Sequence, residues 1–166
     1  GGRCRASLPN RRLADRTDKG PQLRPFFMRS DSAGAGRAAI MAAMRPPILR
    51  AHPAAEVLTD ERCHILELSN DDNDPDMSIA RARVEPGVTT RWHRVRDTTE
   101  RYVILDGSGC MEIGDWPPQE VQAGDVVMIP PSARQRIANT GEGDLVFLAI
   151  CTPRFRPEAY EDAEDA

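Results

Sequence analysis

No stretch of the 166 residues stays apolar for the roughly 18 positions that a membrane-spanning helix needs. The expectation is therefore a soluble protein with no membrane partner. A C-x-x-C pair is also missing. Cys4, Cys63, Cys110 and Cys151 lie far apart, so their spacing lends no support to a zinc site. Three of the four fall inside apolar, strand-like segments, where a thiol behaves as a small hydrophobe. The simplest reading is a reduced, cytoplasmic protein. Residues 1–45 lack apolar periodicity until Ala38 to Met44 and have no aromatic residues besides Phe26 and Phe27. That segment carries ten Arg or Lys against three Asp, a balance of +7. The net charge of −4 for the whole chain then leaves −11 for residues 46–166. A basic arm without interleaved aromatics, attached to an acidic body that repels polyanions, argues against nucleic acid as a partner. The acidic run 70–76, NDDNDPD, lacks the glycine and the distal glutamate of a calcium loop and reads as a solvated hairpin turn.

Fourteen prolines, twelve glycines and an apolar fraction of 40% describe a chain with many turns. Its length suits one domain. Residues 1–44 read as a disordered extension or an upstream non-native segment, with Met44 as the favoured start. A targeting peptide is the rival reading, weakened by Asp15, Asp18, Asp31, Pro21 and Pro25. Residues 45–160 form the folded domain, and 161–166 form an acidic tail. Short strands are expected at 63–69, 78–84, 109–113, around VVMIP and QRIAN, and at 144–152, with turn signals between them. In the first of these, His64, Leu66 and Leu68 are expected to face the core. His64 is read as a hydrogen-bonded core residue and His52 as a surface one.

The organising stretch is 86–109, PGVTTRWHRVRDTTERYVILDGSG. Thr89, Arg91, His93 and Val95 alternate, as do Glu100, Tyr102 and Ile104, so the two runs read as adjacent antiparallel strands that bring an imidazole to face a carboxylate. Such a pair serves as two ligands of a divalent metal or as an acid/base couple without one. Arg91, on the same alternation, is a candidate anion-binding guanidinium or a rim residue. Tyr102 is a core ring with its hydroxyl near the pocket. Trp92 points outward, with the 144–152 strand as its companion at a subunit interface.

These residues resemble the first motif of the cupin family, G-x5-H-x-H-x(3,4)-E-x6-G, through Gly87, His93, Glu100 and Gly107, with Val95 at the second histidine position. The stretch GDVVMIPPSARQRIAN resembles the second, G-x5-P-x-G-x2-H-x3-N, through Gly124, Pro130 and Asn139, with Ser132 for the glycine and Gln135 for the histidine. The resemblance implies an all-β cupin double-stranded β-helix, a small jelly-roll barrel with an irregular N-terminal arm, and a homodimer. It also implies a divalent transition metal (Mn, Fe, Ni or Zn) held by His93 and Glu100 with Gln135 assisting. His93 and Glu100 are then the catalytic candidates, and Arg91, Tyr102 and Gln135 the ligand-binding ones. The function expected is binding of a small polar or anionic metabolite, with lyase, isomerase or cyclase chemistry at a degenerate site. A metal-free binding or sensor barrel is the alternative. Dioxygenase chemistry ranks below both, since one histidine stands where two are usual.

Overall fold

The computed structural model describes residues 48–165. The expected extension 1–44 lies outside the described residues. A 3₁₀ turn at Pro53–Ala55 precedes eleven strands: β1 (Val57–Leu58), β2 (His64–Ser69), β3 (Ser78–Val84), β4 (His93–Val95), β5 (Thr99–Asp106), β6 (Ser108–Ile113), β7 (Gln119–Gln122), β8 (Val126–Ile129), β9 (Gln135–Asn139), β10 (Leu145–Thr152) and β11 (Tyr160–Asp162). They make two sheets, ordered β1-β2-β3-β10-β5-β8 and β11-β4-β9-β6-β7. Every pairing between named strands is antiparallel. This is the all-β jelly roll that the sequence led us to expect.

The inner faces of the two sheets meet in a core of Ala82, Val84, Ile104, Phe147 and Leu145 from one layer and Met111 and Ile137 from the other. Period-two alternation sorts these residues inward and sends Arg81 and Arg83 of β3 outward, where Glu56 accepts from both guanidiniums and Asp144 from Arg83. Asn139, 3% exposed, ties the barrel at one end. Its amide donates to the carbonyls of Val84 and Gly143 at 2.8 Å each, and its Oδ1 accepts from Gly141 N–H at 2.9 Å. Gly107 has φ +82 and lies so close to the 144–145 backbone that a Cβ would sit 2.6 Å from the carbonyl oxygen of Asp144. Ser132, in place of the motif glycine, keeps the left-handed backbone with φ 62.

Three expectations change. First, the two motif-bearing runs do not form a hairpin. β4 pairs with β9 and β11, whereas β5 pairs with β10 and β8, so His93 and Glu100 belong to opposite sheets. The break 96–98, with Asp97 at φ 53, carries the chain across the barrel instead of turning it back on itself. Second, β2 buries residues on both faces: Leu66 is 2% exposed, as expected, but His64 is not a core residue. Cys63 and Ile65 pack on the core, while His64 faces outward and pairs with Glu85 at 2.9 Å. The alternation misled at His64 because Cys63, Ile65 and Glu67, on the other face of the strand, are the residues that line the cavity. Third, the residues expected as an acidic tail are structured: Glu161 and Asp162 lie in β11, and Ala163 is 4% exposed. Cys63 and Cys151 are free and buried. The 70–76 loop is a turn, as read, with Arg154 donating to Asn70 and Asp72.

Asn139→Ala removes three hydrogen bonds and leaves buried carbonyls without donors. It is expected to lower the unfolding free energy by about 2–4 kcal/mol in urea denaturation. A loss below about 1 kcal/mol would show that this tie contributes little.

Candidate functional site

A cavity of about 170 Å³ opens inside the barrel. Its walls are mostly apolar, formed by Ile65, Ala82, Val95, Ile137 and Phe147 among others, and its polar groups include Glu61, His93, Glu100, Cys151 and Tyr160. His93 is brought there by an irregular approach. Thr90 is locked to β9 through Ile137, its N–H donating to the Ile137 carbonyl and its Oγ1 accepting from Ile137 N–H. The chain then advances three residues before the next fully inward side chain, His93, which stands opposite Gln135 in register. That extra residue breaks the expected alternation and turns Arg91 out of the barrel. Its guanidinium binds Asp162 of β11, with Nε donating at 2.9 Å and the terminal nitrogen 2.8 Å away.

Glu100 comes from the opposite sheet, in register with Cys151 and Ile129. Nε2 of Gln135 reaches across the barrel and donates to Oε2 of Glu100, joining the layers through a polar contact within the apolar interior. The Cys151 thiol stands 3.9 Å from Oε1 of Glu100. Three polar residues of this interior are nearly sealed from bulk solvent: His93 is 4% exposed, Glu100 6% and Gln135 0%. The Oε1 of Gln135 is buried without a partner.

Burial dominates the electrostatics. It lifts the Glu100 carboxyl to about 7. The nearby Glu61 adds to the rise, whereas His93 and the hydrogen bonds from Gln135 and Cys151 oppose it. Burial also pushes the Cys151 and Cys63 thiols up to about 12, so both hold their protons at neutral pH and are poor nucleophiles. Glu61 is raised by burial first, against the pull of His93. The Tyr102 hydroxyl is raised well above its ordinary value for the same reason.

The tautomer of His93 follows from its neighbours. Nδ1 lies 3.0 Å from the Arg91 carbonyl, which can only accept, so Nδ1 carries a proton and Nε2 is left toward the cavity. Oε2 of Glu61 is 3.9 Å from Nε2, beyond hydrogen-bond distance. Tyr160 of β11 stacks on the imidazole with centroids 5.5 Å apart.

The structure thus groups His93, Glu100 and Tyr102 on one cavity and sets Gln135 behind Glu100. Arg91 is excluded. Tyr102 packs against Phe147 at 4.4 Å, consistent with a core ring beside the pocket. Trp92 lies under the guanidiniums of Arg134 and Arg136, whose carbons are 4.3 and 4.6 Å from its ring centre. Sequence reading missed Glu61, the approach of Tyr160 to His93 and the role of Cys151. The signal for Tyr160 was present as charge complementarity. Arg91, Arg94 and Arg96 of the RWHRVR run bind Asp162 and Glu161, and Glu164 accepts from Trp92 N–H and Arg62. This row of contacts docks β11 and delivers Tyr160.

The donor set does not fit the expected metal. Val95, buried in the second histidine position, has no donor atom. Gln135 turns its amide nitrogen, not its oxygen, toward Glu100. Among the described residues, no three of His, Cys, Asp and Glu converge to hold an ion. The remaining pair, His93 Nε2 and Glu100, falls short of the three protein ligands of ordinary catalytic metal centres.

A double-stranded β-helix with an imidazole and a carboxylate facing inward defines a class, and sequence comparison assigns it. Residues 80–151 match the cupin domain family, and the fold is the cupin double-stranded β-helix. It is 37% identical over 87 residues to an uncharacterised protein of Methanocaldococcus jannaschii, spanning 52% of this chain and 66% of that protein. It is 29% identical over 100 residues to the glucose-6-phosphate isomerase of Pyrococcus horikoshii, spanning 52% of each. This chain therefore spans less than two thirds of the length of these curated relatives. Among solved structures, the nucleoside dehydratase Pac13 superposes with a TM-score of 0.58 at 14% identity, covering 69% of this chain and 90% of that one. Oxalate decarboxylase of Bacillus subtilis gives 0.56 at 23%, covering 64% and 29%. At these identities the structural likeness speaks for the fold alone.

Because the Glu100 carboxyl is raised in the folded state, its contribution to stability is complete below the unfolded value near 4.5 and is lost as pH rises through about 7. The contribution is on the order of 3 kcal/mol. The unfolding free energy of the wild type relative to Glu100→Gln should therefore fall across that window in chemical denaturation. A difference that stays level from weakly acidic to weakly basic pH would show that the carboxyl is not perturbed.

Proposed function

We propose that this cupin-fold protein is an acid/base catalyst that moves protons on a small polar metabolite bound in the barrel cavity. The reading rests on one observation: two buried titratable groups, His93 and Glu100, line the same cavity from opposite sheets. Nε2 of His93 is the atom placed to take a proton, since Nδ1 is committed to the Arg91 carbonyl. A carboxyl raised to about 7 is half protonated near neutrality and serves as the donor. In an elimination, His93 removes the proton from carbon while Glu100 protonates the departing hydroxyl, which leaves as water. In an enolisation, the same two transfers fall on the carbon and its neighbouring carbonyl oxygen. Tyr160, stacked on the imidazole, holds the ring plane and limits water on that side.

The likeness to a glucose-6-phosphate isomerase is in keeping with this class of chemistry. Its substrate is not carried over. Dioxygenase chemistry has no support here, because one imidazole stands where that chemistry ordinarily uses two.

The test uses chelator-treated protein incubated in D₂O with a set of small hydroxylated and carbonyl metabolites, read by mass spectrometry for deuterium uptake or loss of water. Exchange is expected without added metal, with a rate that declines above pH about 7 as Glu100 loses its proton. His93→Ala and Glu100→Gln should each slow it by roughly 10²-fold or more. Activity that vanishes with the chelator and returns with manganese, iron, nickel or zinc would replace this reading with a metal site. Tight binding without exchange would replace it with a binding protein.

A further inference from the structure

The charge of the cavity identifies the class of ligand it takes. Among the described residues, no Arg or Lys lines it, while three acidic side chains do: Glu61 and Glu100 inside and Glu67 at the exposed end. The arginines nearby are spent on the outer surface. Arg62 donates to Glu164 and the Thr89 carbonyl, Arg81 and Arg83 to Glu56, Arg91 to Asp162, and Arg154 to Asn70 and Asp72. Acidic residues alone would not make a site, but here they surround a cavity into which an unpartnered polar atom is aimed. His93, its side chain 5% exposed, presents Nε2 with no hydrogen bond among the described residues. Among the described residues, the Glu61 carboxyl has no Arg or Lys within ion-pair reach, and the His93 imidazole stands 3.9 Å away. Phe147, Phe155, Tyr102 and Tyr160 supply ring faces in the same space.

We propose that the cavity binds a small ligand carrying a protonated amine, with Glu61 as its counter-ion, and that it rejects anions. The inference rests on the reading of this cavity as a ligand site. It excludes the anionic metabolite expected from Arg91, and it excludes a sugar phosphate, because nothing in the cavity wall would neutralise a phosphate. A cleft lined by one sign of charge within apolar walls concentrates the opposite sign. The ammonium would donate to Glu61 and sit against the aromatic rings. The amine nitrogen need not be the reacting atom. Anchored by Glu61, it would place the adjoining carbon and hydroxyl between His93 and Glu100.

Three matched probes test this: 3-aminopropan-1-ol, 1,3-propanediol and 3-hydroxypropanoate, titrated by ligand-observed NMR. The aminoalcohol is expected to bind about tenfold or more tightly than the diol, a difference equivalent to one buried ionic contact. The hydroxy acid should bind more weakly than the diol. Glu61→Gln should erase the advantage of the amine and leave the diol within about twofold, since the substitution keeps size and hydrogen-bonding capacity. If that variant does not fold, the order of the three probes on the wild type still decides. Equal or tighter binding of the acid, an amine advantage that survives in Glu61→Gln, or failure of all three probes to bind would each overturn the proposal. Proton exchange dependent on His93 and Glu100 without amine preference would discard this inference and keep the catalytic reading. Amine preference without such exchange would do the reverse.

Discussion

The hydrogen bond from Gln135 to Glu100 is the contact on which the interior depends. It joins the two sheets across an apolar gap and occupies one oxygen of a carboxyl that burial has stripped of water. A carboxylate in that position is unstable unless something compensates it. Gln135, the Cys151 thiol and His93 each do so in part, and the balance still leaves the carboxyl at about 7. The barrel therefore holds a group that changes protonation near neutrality because its surroundings only half satisfy its charge.

The replacement of two cupin ligand positions has a chemical logic in this setting. An imidazole at position 135 would present a lone pair to a metal, whereas an amide presents N–H to a carboxylate. Valine at 95 fills space with hydrocarbon and adds to the desolvation of its neighbours. Together they turn a wall suited to an ion into one that perturbs Glu100. A fully buried amide oxygen on Gln135 is left without a partner, which is a cost of that arrangement.

The C-terminal segment completes what the barrel begins. β11 brings Tyr160 over His93, and it is held by arginines that alternate outward along the same stretch that carries the histidine. One local sequence, RWHRVR, thus supplies the inward imidazole and the outward cations that dock its cover. These surface pairs are individually weak, but β-pairing of Tyr160, Glu161 and Asp162 with Val95, Arg94 and His93 sets their geometry.

Alternation and turn residues by themselves determined that the chain is all-β, and motif spacing determined that it resembles a cupin. The reason is that inward and outward residues differ in polarity along a half-buried strand, and that reversals demand Gly, Pro or Asx. The bounds of 78–84 and QRIAN were legible in this way, as were His93, Glu100 and Gln135 as interior residues. Tertiary structure decided the rest. Whether two alternating runs pair with each other or face each other across a barrel depends on distant partners, here β9, β10 and β11, which local periodicity does not name. A single extra residue between Thr90 and His93 turned Arg91 outward and so removed from the cavity the one guanidinium expected there. The outward facing of His64 and the placement of Glu61 and Tyr160 arise from segments roughly 30 and 70 residues from the motif closing over it, and only the folded chain brings those to one cavity.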